Sequence, residues 1–178
     1  MTFPTAEKKQ SRLFSPINDG ADPSQELRFI SDLGRSLLFT VHPKKVASRV
    51  ASAIQKSVLA EICAFVVELE NIGIVSCAFD EKGEIVSRIF SKSKFVKWLE
   101  FLPPQIGYKE ENEAAFLLKG NSHKLEYVSP VHINGEIKGA IVAGFASKGD
   151  FNDSKGSLIE AATQMAAMSV NLSAHYEA

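Results

Sequence analysis

Cysteine is nearly missing from this sequence: there are two residues in 178, Cys63 and Cys77, each inside an apolar strand-like segment. Such positions imply buried, reduced thiols rather than a redox pair, and they give no spacing for a zinc site. An excess of one charge is missing too. Twenty Lys and Arg face twenty-one Asp and Glu, a formal net charge of -1 at pH 7, so no summed positive field recruits a nucleic-acid backbone. The longest nearly uncharged apolar runs, ICAFVV and GAIVAGFA, fall far short of the roughly 18 to 20 residues that span a bilayer. Residues 1 to 16, MTFPTAEKKQSRLFSP, carry Lys8, Lys9 and Arg12 but no apolar signal core. Neither membrane insertion nor secretion is expected, and the predicted address is cytoplasmic.

Catalytic motifs are lacking as well. No Gly-x-x-x-x-Gly-Lys-Ser/Thr, Gly-x-Ser-x-Gly or His-Glu-x-x-His occurs, and histidines 42, 123, 132 and 175 are scattered. The run DFNDSKGSLIEA starts like a calcium loop with Asp150, Asn152 and Ser154. Lys155 then stands where the loop needs glycine and Ala161 where it needs a bidentate acid, so the run reads as the start of a helix.

What is present is an ordinary globular composition, 45% hydrophobic and 23% charged, with length for one domain and a real core. Residues 1–22 mix prolines, lysines and serines without period and read as a flexible leader, leaving 23–178 as a single domain. Asp22 caps a helix that has Pro23 at its first position, with Leu27, Ile30, Leu33 and Leu37 at helical spacing and Phe29, Leu38 and Phe39 widening the apolar surface. His42-Pro43 breaks it, and a second helix from about Lys44 to Leu59 buries Val46, Val50, Ile54 and Val58. EICAFVVEL, GIVSCAFD and EIVSRIF follow as a three-stranded meander. The amphipathic SKFVKWLEFL, with Phe95, Trp98 and Leu99, stops at Pro103-Pro104; beyond it an irregular loop holds one short helix near Glu110 to Leu118. KLEYVSPVHI and EIKGAIVAGFA then flank Asn134-Gly135, a type I′ hairpin signal, and a long helix from about Asp153 to Tyr176 closes the chain. This order predicts an α+β fold, a five- or six-stranded antiparallel sheet with helices mainly on one face.

The C-terminal half resembles the GAF family, small sensory domains of bacterial signalling proteins related to PAS-like sensors. The resemblance rests on Pro130, the Asn134-Gly135 hairpin, Ile137 with Gly139, Phe151, and Ala162, Gln164 and Ala166 inside the last helix. Together with the upstream element order it covers roughly residues 24 to 176. One departure is Lys155, where the family often has an acid opening the helix; Asp153 stands two residues earlier, a shifted cap.

The resemblance implies a non-catalytic regulatory module with a small-molecule pocket, dimerising through its terminal helices and signalling to an effector expected C-terminal to the chain. It names no ligand or cofactor, since GAF-like domains take cyclic nucleotides, bilins, haem, small metabolites or nothing. The candidate ligand residues are Arg88, an anion-seeking guanidinium in a strand, and the aromatics Phe90, Trp98, Tyr108, Phe116 and Tyr127. Leu158, Met165 and Leu172 repeat every seven residues, as do Ala161 and Met168, and give more apolar surface than one sheet contact needs; Leu158, Met165, Met168 and Leu172 are singled out. These four residues are the candidate interface of a homodimer. The alternatives are a ligand-free dimerisation module and a GAF-type free methionine sulfoxide reductase, whose nucleophiles are cysteines mostly on pocket loops; here both thiols lie in strands.

Overall fold

A computed structural model of the chain describes residues 23–85, 91–100, 102, 107–108 and 125–177. The leader, the proposed helix at 110–118, and Arg88, Phe90 and Phe116 lie outside these residues. The elements run α1 (Pro23–Leu37), α2 (Pro43–Val58), β1 (Ile62–Leu69), β2 (Gly73–Asp80), β3 (Gly83–Ile85), α3 (Lys92–Glu100), β4 (Gly107–Tyr108), β5 (Leu125–Ile133), β6 (Glu136–Phe145) and α4 (Asp153–Glu177).

Local chemistry explains the boundaries. His42 has an extended backbone (φ -107°, ψ 124°) because Pro43 follows it, and that proline occupies the first turn of α2, where no N–H is missed. At the other end Leu59 adopts the left-handed conformation, and the buried Gln55 side chain donates to the Ala60 carbonyl at 2.9 Å. α1 buries Phe29, Leu33 and Leu37, whereas Leu27 is 71% exposed. The expected row through Leu27 is therefore displaced: spacing of four from Phe29 keeps a side chain on the core at each turn. Leu38 and Phe39 do not widen that buried face; both point to solvent.

Among the described residues six strands form one antiparallel sheet in the order β3-β2-β1-β6-β5-β4. The two-residue β4 falls in a stretch read from the sequence as loop; it exists through pairing with Leu125 and Glu126. Asn134 and Gly135 have φ of 53° and 80°, the two positive values a type I′ turn demands. Alternation then gives the sheet two distinct faces. Cys63, Phe65, Cys77, Tyr127, Ile141 and Phe145 point to one face and pack with α1, α2 and α4 in the main core. Ile62, Ala64, Val66, Ala78, Val128, Ala140 and Val142 point to the other and pack with Phe95 and Trp98 of α3. Three helices cover the first face and α3 the second, as expected for helices mainly on one side.

β1 and β6 meet at the centre, and Gly139 sets how closely. A Cβ there would lie 2.0 Å from the Val66 carbonyl oxygen and 2.6 Å from Val67 Cα. The glycine thus accommodates the backbone of the neighbouring strand rather than helices packed above it, beside a register irregularity at Val131/His132. Substituting Gly139→Ala is expected to cost about 3 kcal/mol or more. Gly149→Ala, whose new Cβ meets only Ser147 Oγ at 3.8 Å, is expected to change stability by less than about 0.5 kcal/mol. Urea unfolding midpoints of the two variants check this; equal midpoints would show the β1–β6 approach to be soft.

Candidate ligand site

The α3 face of the sheet holds the candidate site. Its floor is made of rows read across the strand registers. One row runs Asp80, Ile62, Gly144, Glu126, Gly107, and the next runs Ile85, Ala78, Ala64, Val142, Val128. The roof is α3, whose Phe95 and Trp98 rings lie 6.0 Å apart at 37° and bury against the floor. Ser91 Oγ accepts the Lys94 N–H to start this helix, and Lys92 Nζ reaches Glu68 Oε1 at 3.1 Å, tying α3 to β1. An apolar surface with few polar groups is the usual lining of a small-molecule pocket.

Trp98 is the sequence candidate whose side chain the structure places on this face. The backbone of Tyr108 lies in β4, the strand that borders Glu126. Tyr127 faces the other way, with the three helices: its ring stacks on Phe151 at 5.2 Å and its hydroxyl donates to Glu160 Oε1 of α4. The reason is strand parity, since Tyr127 alternates with Glu126 and Val128. Burial first, then the hydrogen bond to the Glu160 carboxylate, hold the Tyr127 hydroxyl protonated well above its ordinary range. Phe151 meets Phe145 edge-on at 5.3 Å, and Gly156 keeps this corner open, because a Cβ there would stand 3.0 Å from Phe151 Cζ. Asn152 Oδ1 accepts the Lys155 N–H at 2.8 Å, and Lys155 Nζ donates to the Asp150 carbonyl at 2.7 Å. The residues of the calcium-like run thus start α4.

Glu126, 2% exposed, was not among the sequence candidates. Its signal was nonetheless present: in LEYVSP a carboxylate shares parity with Val128. Both cysteines belong to the three-helix face. Burial, with Cys77 nearby, pushes the Cys63 thiol up, and burial pushes Cys77 up to about 12 against the smaller effect of a hydrogen bond with Ser48. Both stay thiols at neutral pH, the unreactive form.

On α4 the interface candidates divide. Leu158 is 1% exposed and belongs to the core, and Met165 rests half-buried against Gly34 of α1; neither forms a free surface. Met168 and Leu172 are 76% and 59% exposed, with Tyr176 one turn further. A straight helix drifts by about 20° per seven residues, so a seven-residue row that begins in the core ends in solvent. A concavity of about 800 Å³ lies where the β1–β2 and β5–β6 turns approach the end of α4. Charges around it already pair with each other, Lys92 with Glu68 and Lys138 with Glu136 at 2.9 Å. Among the described residues no three His, Cys, Asp or Glu gather as metal ligands, and no helix is long and apolar enough to cross a membrane.

No family model matches the chain, and no curated protein matches it. Solved structures do. The GAF domain of an Acinetobacter phosphoenolpyruvate-protein phosphotransferase superposes with a TM-score of 0.60 at 11% identity, covering 84% of this chain and 94% of its own. A free methionine-R-sulfoxide reductase from Neisseria meningitidis, in complex with its substrate, gives 0.60 at 8% identity over 92% and 99%. The GAF domain of the cyanobacteriochrome TePixJ gives 0.57 at 10% identity over 79% and 95%. The class is therefore an α+β domain with an open antiparallel sheet. Its fold is the GAF fold, shared by sensor domains and by reductases.

The Tyr127–Glu160 link has a pH signature. The unfolded phenol ionises near its ordinary value of about 10 while the native one keeps its proton, so the contribution is complete below that pH and is lost as pH rises further. Tyr127→Phe is expected to cost about 1 kcal/mol at pH 7, a gap to wild type that narrows above pH about 10. Chemical denaturation from pH 7 to 11 checks it, and a gap that widens with pH would contradict the assignment.

Proposed function

We propose that the domain is a non-catalytic, cytoplasmic sensor that binds a small molecule between α3 and the sheet and signals through its terminal helices to an effector. The observation that supports this reading is the second, apolar face of the sheet, where alanine and valine side chains meet the aromatic residues Phe95 and Trp98 of a single short helix. Arg88, Phe90, Tyr108 and Phe116 are proposed to complete the ligand surroundings. The signal passes from the floor through β5, whose Tyr127 holds Glu160 of α4. The sulfoxide reductase reading has less support: the two cysteines of the sequence are buried, high-pKa thiols on the opposite face.

Trp98 is the single tryptophan of the chain, so its emission reports the roof directly. Native mass spectrometry is expected to find a retained small molecule, or a metabolite panel to yield one that shifts both Trp98 emission and the melting temperature. A bare mass with neither shift favours a ligand-free module, and turnover of free methionine sulfoxide by the reduced protein would refute the non-catalytic reading.

We also propose a homodimer through α1 and α4, for which exposed Met168 and Leu172 are the accessible part. Sedimentation at micromolar concentration should give a dimer that Met168→Glu with Leu172→Glu converts to monomer. A wild-type monomer, or a dimer indifferent to both substitutions, rejects it.

A further inference from the structure

We infer that the α1–α2 loop docks the domain on the surface of an anionic phospholipid bilayer, with Leu38 and Phe39 as the inserted tip and Arg35, Lys44, Lys45 and Arg49 as a basic collar. This goes beyond the sensor reading and does not depend on it. Leu38, Phe39 and Val41 are 73%, 90% and 50% exposed, so large apolar side chains stand together in solvent. The turn that carries them is tied down by hydrogen bonds. The Thr40 N–H donates to the Leu37 carbonyl at 3.1 Å, and the Thr40 hydroxyl to the Ser36 carbonyl at 3.0 Å. The Arg49 guanidinium reaches back from α2 and donates to both the Ser36 carbonyl and Thr40 Oγ1. Leu37 on one side and Pro43 and Val46 on the other are buried, and the tip between them is held outward.

The charge beside the tip is of one sign. Residues 33–60, from the end of α1 through α2, hold five Lys and Arg and no Asp or Glu, although the whole chain has twenty of one sign and twenty-one of the other. Arg35 stands one turn before Leu38, and Lys44 and Lys45 open α2; all three are exposed, as is Arg49. Among the described residues none of the four is ion-paired to a carboxylate. Asp32, the acid next before them on α1, is turned inward at 9% exposure. An apolar tip behind a cationic collar matches the two layers of a bilayer surface, negative headgroups outside and hydrocarbon beneath. A second copy of the loop would set cation against cation, and a nucleic-acid backbone would leave Leu38 and Phe39 without apolar contact. The contact is peripheral, since no described helix is long and apolar enough to cross the membrane.

The test is co-sedimentation of the full chain with vesicles of phosphatidylcholine alone and of phosphatidylcholine with about one-third phosphatidylglycerol. Binding is expected to the mixed vesicles only, and to weaken at least about fivefold between about 0.1 and about 0.5 M salt. Lys44→Glu with Lys45→Glu is expected to lower the partition at least about tenfold, and Leu38→Ser with Phe39→Ser to do the same. All four side chains are exposed, so the melting temperature of each variant should match wild type. Lys82→Glu with Lys94→Glu makes the same change of net charge at exposed sites before β3 and on α3, and should leave binding within about twofold. No binding to the mixed vesicles, which would leave the tip to an acidic protein partner, overturns the inference. So does equal binding to the neutral vesicles, or a loss in the Lys82 and Lys94 variant as large as in the collar variant. A tip variant that binds like wild type also overturns it, because surface charge alone would then account for the binding. None of these results bears on the sensor reading, which is decided by retained ligand and thermal shift.

Discussion

The structure depends on the antiparallel pairing of β1 with β6. These strands are far apart in the chain, yet Val66 and Val67 lie against Ala140 and Gly139 at the centre of the sheet. Once they pair, the order of everything else follows: the β1–β2–β3 meander extends on one side, the β5–β6 hairpin on the other, and the connecting helices have two faces to cover. The contact is close because one position carries no side chain. A central pair buried on both faces also explains why ICAFVV and GAIVAGF read as unbroken apolar runs, where a half-exposed strand would alternate.

The two faces differ in kind. The three-helix face is filled with large side chains, Phe65 and Phe145 among them, and its polar groups are spent on internal bonds such as Tyr127 to Glu160. The cysteines sit within that filling, where desolvation keeps the thiol form. The α3 face has a floor of small residues and a single short helix as cover. The larger core thus lies on one side and a thinner, single-helix cover on the other. The same fold in the Neisseria meningitidis reductase shows that the architecture alone does not select chemistry.

Features governed by neighbours in sequence were legible before the structure. Asn134-Gly135 announced its hairpin because turn chemistry is local, and Pro43 fixed the start of α2 for the same reason. Features created by distant pairing were not. β4 is two residues long and is defined by a partner strand, so nothing local distinguished Gly107-Tyr108 from loop. Leu158 and Leu172 looked equivalent in a seven-residue row, but a long helix crossing a sheet turns its row from core to solvent. Tyr127 and Trp98 looked alike as aromatics, and alternation alone could not say which parity of β5 met the three helices, because both parities are apolar. The site was legible in part: Trp98 was named, Glu126 was passed over, and Arg88, Phe90 and Phe116 fall outside the described residues.

Glu126 and Tyr127 make β5 more than a divider between the two faces. Adjacent residues of a strand point in opposite directions, so one places a carboxylate on the α3 face and the next presents a phenol to α4. The peptide bond between them is planar and stiff, and β5 is held by β6 along its whole length. Tyr127 grips α4 by a hydrogen bond to Glu160 and by stacking on Phe151, just before the helix begins. α4 is 25 residues long, about 37 Å at 1.5 Å per residue, so a small tilt at Glu160 becomes a larger excursion at Leu172 and Tyr176, where the helix is bare. The route from the α3 face to the exposed helix end passes through one strand and one side-chain contact.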